Sequence, residues 1–201
     1  DIDLMFSSNL PDISDARNKY DIEFKKYSIC LFHPVTTEID FLKDQINCLA
    51  ESLIESNKNY IAIYPNNDLG SDLIIEKYKS ISSDKIKVLP SIRFEYFLTI
   101  LKNADFIIGN SSAGIREAPY YSVNSINIGS RQNNRDTNKM INNVSFSKKN
   151  ILKEIDNLKK KQQTEPVKNY GDGNSAELFS EILKLDKIWE TPNQKLFNDQ
   201  N

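Results

Sequence analysis

One histidine and two cysteines are the only imidazole and thiol groups in this chain of 201 residues. Cys30 and Cys48 form no CxxC pair, and no His/Cys cluster stands at ligand spacing, which argues against a zinc site. Two such thiols read as small hydrophobes in a reducing compartment, so a cytoplasmic location is expected. Charge of one sign is also lacking. Lys and Arg number 26 against 28 Asp and Glu, a net charge of −2. Nothing therefore favours nucleic acid or a membrane surface as partner. No apolar run approaches the ~20 residues of a membrane span. The opening DIDLMFSSNL has no basic leader and no signal-type apolar stretch. It has no initiator Met either, which raises the expectation of a piece of a longer protein.

What is present suits one globular domain with an ordinary core: 39% hydrophobic and 27% charged residues. The apolar runs are short and punctuated. SICLFH (28–33), YIAIY (60–64), KIKVL (85–89), DFIIG (105–109) and NSINIG (124–129) each predict a buried strand. Helical spacing lies between them. Ile39, Leu42, Ile46, Leu49 and Leu53 share one face, as do Ile74, Tyr78 and Ile81, and then Phe94, Phe97, Leu98 and Leu101. This alternation predicts an α/β fold, a Rossmann-like parallel sheet with helices on both faces. Residues 1–27 read as an entry linker with some helical tendency. NVSF (143–146) suggests a last strand, followed by a charged helix over 148–163 and a loop over 162–174. A final helix starts at Asn174 or Ser175, with Leu178, Ile182, Leu185 and Trp189 on one face.

In an open parallel sheet, ligands gather beyond the carboxyl ends of the strands. Those ends read HPVTTE (33–38), YPNNDLGSD (64–72), LPSIR (89–93), GNSSAGIRE (109–117) and GSRQNNR (129–135). Four of the five are rich in hydrogen-bonding groups, and the third is plainer. The fourth resembles a phosphate loop without the lysine of a Walker sequence. Gly109 and Gly114 would let a ligand approach the backbone, and Ser111 or Ser112 could cap the next helix. Free N–H groups at that helix start would attract an anion. A plain N-cap with packing glycines fits the same string. Pro119 predicts a short or kinked helix.

Glu117 stands five residues past Ser112, too far on for a capping box. Phosphate would repel it, and a neutral diol such as a ribose suits it better. Arg131 and Arg135 frame the last loop and can pair a pyrophosphate in forked geometry. His33 ends the first strand, where either a structural or a catalytic role fits.

HPVTTE, YPNNDLGSD, FIIGNSSAGIREAPYYSVNSINIGSRQNNR and the late YGDGN occur in this order. From about Ser28 onward the chain resembles the C-terminal half of the UDP-N-acetylglucosamine 2-epimerase family. HPVT and GSRQ resemble its hydrolysing, sialic-acid-biosynthesis branch, since the other branch has an HRRE-like string at the first position.

The resemblance implies a two-domain GT-B fold, with residues 28–201 as the C-terminal, nucleotide-binding domain and the N-terminal domain absent. It assigns Ser111, Ser112 and Glu117 to the diphosphate and ribose, and His33 and Asn66 to nucleotide-sugar contacts, His33 as catalytic residue. Arg131 falls in the loop over the nucleotide. The implied reaction takes a proton from C2, eliminates UDP and hydrates the 2-acetamidoglucal to N-acetylmannosamine. Most of the family's proton-transferring carboxylates lie in the other domain, so this chain alone is expected to be inactive. No metal or cofactor is needed where backbone N–H groups and arginine hold the leaving charge. The implied partners are a UDP-sugar and further copies of the full-length protein.

Two departures stand out. Asn124 replaces a common proline. Asp72 follows Ser71 where animal relatives carry basic residues for feedback control, so that regulation is not carried over. Half of a GT-B glycosyltransferase and a non-catalytic nucleotide-sugar-binding module remain as alternatives.

Overall fold

In a computed structural model the described residues are 2–158, 169–192 and 194. Six strands form one sheet: β1 (Ser28–Leu31), β2 (Tyr60–Ile63), β3 (Ile86–Leu89), β4 (Phe106–Gly109), β5 (Asn124–Ile128) and β6 (Ile141–Val144). All neighbouring pairs are parallel, in the order β3-β2-β1-β4-β5-β6. The expected strands are therefore present, trimmed by one or two residues at an end. The last starts at Ile141, two residues before NVSF.

Alternate residues of each strand serve opposite faces, as the two-residue period requires. Ile29, Ile61, Ile63 and Ile107 pack into one apolar layer. Cys30, Ala62, Ile108, Ile126 and Ile128 pack into the other. The second layer is closed by α3 (Leu42–Glu55), α4 (Ser71–Ser80) and α7 (Lys148–Leu158). On α7, Ile151, Ile155 and Leu158 are buried at spacings of four and three. Whatever of the expected helix follows Leu158 lies outside the described residues.

The first layer is closed by α5 (Phe94–Lys102) and by the segment expected as an entry linker. That segment carries α1 (Ile2–Met5) and α2 (Ile13–Tyr20), and buries Ile2, Met5, Ala16, Ile22 and Tyr27 in the core. Thr99 Oγ1 donates to the Pro11 carbonyl at 2.8 Å, and Tyr27 Oη to that of Ile100 at 2.8 Å, tying it to α5.

After β4 the chain makes α6 (Ala113–Arg116) and, beyond Glu117, a 3-10 turn over Ala118–Tyr121 that contains Pro119. The short helix is thus as expected. The two glycines of this stretch serve close packing inside the protein. A Cβ on Gly109, at φ +138°, would sit 2.1 Å from the Leu31 carbonyl oxygen, and one on Gly114 would sit 2.4 Å from Ser125 Oγ. Neither hydrogen faces an open ligand surface, so the approach of a ligand to these two positions is not what they provide.

The final helix is broken into α8 (Ser175–Leu183) and α9 (Asp186–Trp189). Asn174 occupies the N-cap position without a side-chain cap. Instead the Asp3 carboxylate accepts from the Ser175 and Ala176 N–H groups at 3.3 and 3.0 Å and from Ser175 Oγ at 2.7 Å. Leu178, Phe179, Ile182 and Trp189 remain exposed.

Gly114→Ala should cost about 1–3 kcal/mol through overpacking. Adding Ser125→Ala should recover most of it, because the next contact is an ordinary 3.5 Å to the Ser125 Cβ. Gly109→Ala should have no such rescue, since backbone blocks it. Urea unfolding midpoints of the four chains check this.

Candidate functional site

The order of strands reverses direction beside β1: β2 follows on one side and β4 lies on the other. A crevice opens beyond the carboxyl ends at such a point, because the crossover helices depart to opposite faces. Here it is a cavity of about 470 Å³ whose lining includes His33, Asn66, Ser111, Ser112, Glu117 and Arg131. These expected residues therefore meet in one place, from four separate loops. Within HPVTTE only the histidine turns inward. Glu38 instead hydrogen-bonds Gln45 and Ser130 on the far side of that loop.

His33 is buried, and its Nδ1 accepts the Asn66 N–H at 3.1 Å. Burial, then the Arg131 cation, push its pKa down to about 4, while Asp68 pulls weakly the other way. The imidazole is neutral at pH 7. Asn110, 1% exposed, holds the backbone of the same residue: its Oδ1 accepts the His33 N–H at 2.7 Å and its Nδ2 donates to the His33 carbonyl at 2.8 Å.

Ser111 Oγ accepts the Ala113 N–H at 3.3 Å. Ser112 stands at the N-cap position in helical conformation, with no side-chain cap bond. The capping serine is thus Ser111. Among the described residues the backbone N–H groups of Ser111 and Ser112 find no acceptor. With only four residues, α6 adds little dipole, so these N–H groups are the anion-attracting element.

Glu117 sits at the junction of α6 and the 3-10 turn, 5% exposed, and its Oε2 has no partner. Burial raises its pKa, and the Arg116 charge pulls it partly back. A desolvated carboxylate with a spare acceptor on a cavity is suited to receive hydroxyl donors. Arg131 is half-buried and anchored by Nη1 to the Asn110 carbonyl at 3.1 Å. Arg135 does not join it. It lines a smaller adjoining cavity of about 170 Å³ with Arg116, Gln132 and Tyr170.

The third strand end, read as plain, supplies an apolar wall of Pro90, Ile92 and Phe94, with Phe97 behind and the polar Ser91 between. A search for polar strand ends passes over such residues. The sign of them was Phe94 at the first position of a helix, where the sequence had assigned it to the core. It is 36% exposed.

The family model described as UDP-N-acetylglucosamine 2-epimerase matches residues 2–184. The chain belongs to the UDP-N-acetylglucosamine 2-epimerase family. Its segment 2–27 lies within the match, as does the whole cavity. A Neisseria meningitidis UDP-N-acetylglucosamine 2-epimerase is 42% identical over 204 residues, covering 100% of this chain and 54% of that protein. A Legionella pneumophila UDP-N,N'-diacetylbacillosamine 2-epimerase (hydrolyzing) is 29% identical over 182 residues, 90% of this chain and 48% of that one. The chain thus spans about half the length of these relatives. Among solved structures, the Methanocaldococcus jannaschii UDP-GlcNAc 2-epimerase in complex with UDP-GlcNAc and UDP superimposes with a TM-score of 0.67 at 19% identity. The match covers 90% of this chain and 50% of that one. The epimerase fold seen here is the Rossmann-like half of a GT-B arrangement. No described helix is long and apolar enough to cross a membrane.

His33 binds protons more weakly when folded, at about 4, than an ordinary imidazole near 6.5 does. The unfolded chain then takes up a proton first as pH falls, so this histidine's contribution to stability is intact above about 6.5 and drains away toward 4. Thermal melts across that window should show His33→Gln losing less stability on acidification than the wild type.

Proposed function

We propose that this chain is the nucleotide-binding half of a hydrolysing UDP-N-acetylglucosamine 2-epimerase of the sialic-acid type. The parent enzyme removes the C2 proton of the sugar, expels UDP and adds water to the resulting 2-acetamidoglucal. The products are UDP and N-acetylmannosamine, or the matching product of a related 2-acetamido sugar. It works in the cytoplasm as a homo-oligomer.

The observation that carries the reading is Glu117. It lines a cavity that also holds a neutral imidazole, a guanidinium and unengaged serine N–H groups, and its buried Oε2 has no partner within the protein. A carboxylate in that company repels phosphate and accepts hydrogen bonds from the ribose diol. The diphosphate then falls to the Ser111 and Ser112 N–H groups, the Ser112 hydroxyl and Arg131. Such groups stabilise the negative charge that grows on UDP as its bond to the sugar breaks. The wall of Pro90, Ile92 and Phe94 suits the flat face of the base. The HPVT and GSRQ strings and the hydrolysing Legionella relative support the hydrolysing branch.

Proton transfer at C2 and C3 needs groups of matched acidity within hydrogen-bond reach. We assign these to the other half of the parent, and the exposed apolar side chains of α8 and α9 to the surface that meets it. On this reading the chain alone binds UDP weakly and turns nothing over.

Isothermal titration should give millimolar or tighter binding of UDP. Glu117→Gln should weaken it about tenfold, near the 1.4 kcal/mol of one lost charge-assisted hydrogen bond, and leave the melting temperature nearly unchanged. Unchanged affinity would remove the ribose role. For the full-length parent in deuterated water, deuterium should enter C2 of the product, which should be free N-acetylmannosamine. A product without deuterium would point to a glycosyltransferase, and UDP-N-acetylmannosamine to the non-hydrolysing branch.

A further inference from the structure

The geometry points to Asn110 as a positioning residue that locks His33 into the Nε2–H tautomer, making this imidazole a fixed hydrogen-bond donor to the bound nucleotide-sugar and not a general base. The tautomer follows from geometry in the unliganded protein. Its extension to the ligand rests on the function proposed above.

Three observations carry it. First, Asn110 engages both backbone groups of His33, at 2.7 and 2.8 Å, from a side chain that is fully enclosed. An amide that both donates to and accepts from one residue leaves that residue's backbone no freedom to swing. Second, the imidazole so held presents Nδ1 to the Asn66 N–H at 3.1 Å. A backbone N–H can only donate, so Nδ1 is the bare nitrogen. In the neutral ring the single proton is therefore on Nε2. Burial keeps the ring neutral, with the Arg131 cation acting in the same direction and Asp68 against it. Third, the same Asn110 carbonyl accepts Arg131 Nη1 at 3.1 Å and Gln132 Nε2 at 3.0 Å. One residue thus sets the imidazole and the guanidinium on a common frame, with the two free serine N–H groups following it in the chain.

The consequence for chemistry is specific. A base needs a lone pair facing the proton it takes. The lone pair of His33 is spent on Asn66. What faces the ligand is an N–H, suited to an oxygen that is gaining negative charge.

Because His33 is the only histidine, selective ¹⁵N-histidine labelling gives one imidazole spectrum without assignment. In unliganded wild type, long-range ¹H–¹⁵N correlations should report a single Nε2–H tautomer from pH 8 down to about pH 5. An Nδ1–H tautomer, or a rapid mixture, overturns the proposal. Asn110→Ala should replace the single tautomer by a mixture and move the titration toward that of an ordinary histidine. Asn66→Pro, which deletes the N–H and leaves Asn110 in place, should release the tautomer alone. A fixed tautomer and unchanged titration in folded Asn110→Ala would overturn the positioning role. Where that variant does not fold, Asn110→Ser is read in the same way.

UDP titration separates the donor role. Gln carries its amide N–H₂ near the place of Nε2, so His33→Gln should bind UDP within about threefold of wild type and His33→Leu at least tenfold more weakly. Equal losses overturn the donor role. Absence of UDP binding by wild type with the expected tautomer would sink the proposed function and leave the tautomer standing.

Discussion

Where β1 ends, its partner β4 stops being a strand but does not stop pairing. Gly109 lies opposite Leu31 in the ladder, the Asn110 N–H reaches the Leu31 carbonyl at 3.2 Å, and the Asn110 side chain then replaces a backbone as the partner of His33. The two chains are thereby kept in register for two residues beyond the regular sheet, at the point where the crossover helices part. His33, the serine loop and Arg131 hang from this join. A side chain amide does what a strand would do, while leaving the main chain free to turn into the serine loop.

The join also explains the glycine before it. With φ at +138° and only 2.1 Å available, Gly109 permits no Cβ. The nearness that the sequence suggested was for a ligand is used by β1 instead. Gly114 makes the same point against Ser125. Glycine strings after strands are read as phosphate loops because backbone must come close to something. Which partner comes close is a tertiary fact, invisible to a linear string.

Much else was legible. The strand–helix alternation prescribes the parallel sheet, since apolar residues recurring at two-residue and three-to-four-residue spacings leave few other architectures. Polar strand ends lead to His33, Asn66, Ser111, Ser112, Glu117 and Arg131, and the rule that ligands sit at carboxyl ends is why they converge. Residues 1–27 were harder. Ile2, Met5, Ala16 and Ile22 are too sparse to show a period, and they acquire a reason only once α5 is there to cover. Phe94 was obscured for the opposite reason, since its spacing with Phe97 and Leu101 is that of a core face. Arg131 and Arg135 look equivalent in sequence and are separated by the loop's path, which turns one into the crevice and the other into the smaller cavity beside it.

The chain has one tryptophan, and its position has a practical sequel. Trp189 lies 72% exposed among Leu185, Ile188 and the apolar side chains of α8, its indole N–H held by the Leu183 carbonyl at 2.9 Å. An indole pinned in orientation but open to water emits according to whatever covers it. Tryptophan emission, excited apart from the nine tyrosines, is therefore a label-free gauge of the α8–α9 surface, responsive to the arrival of a second body on the helices.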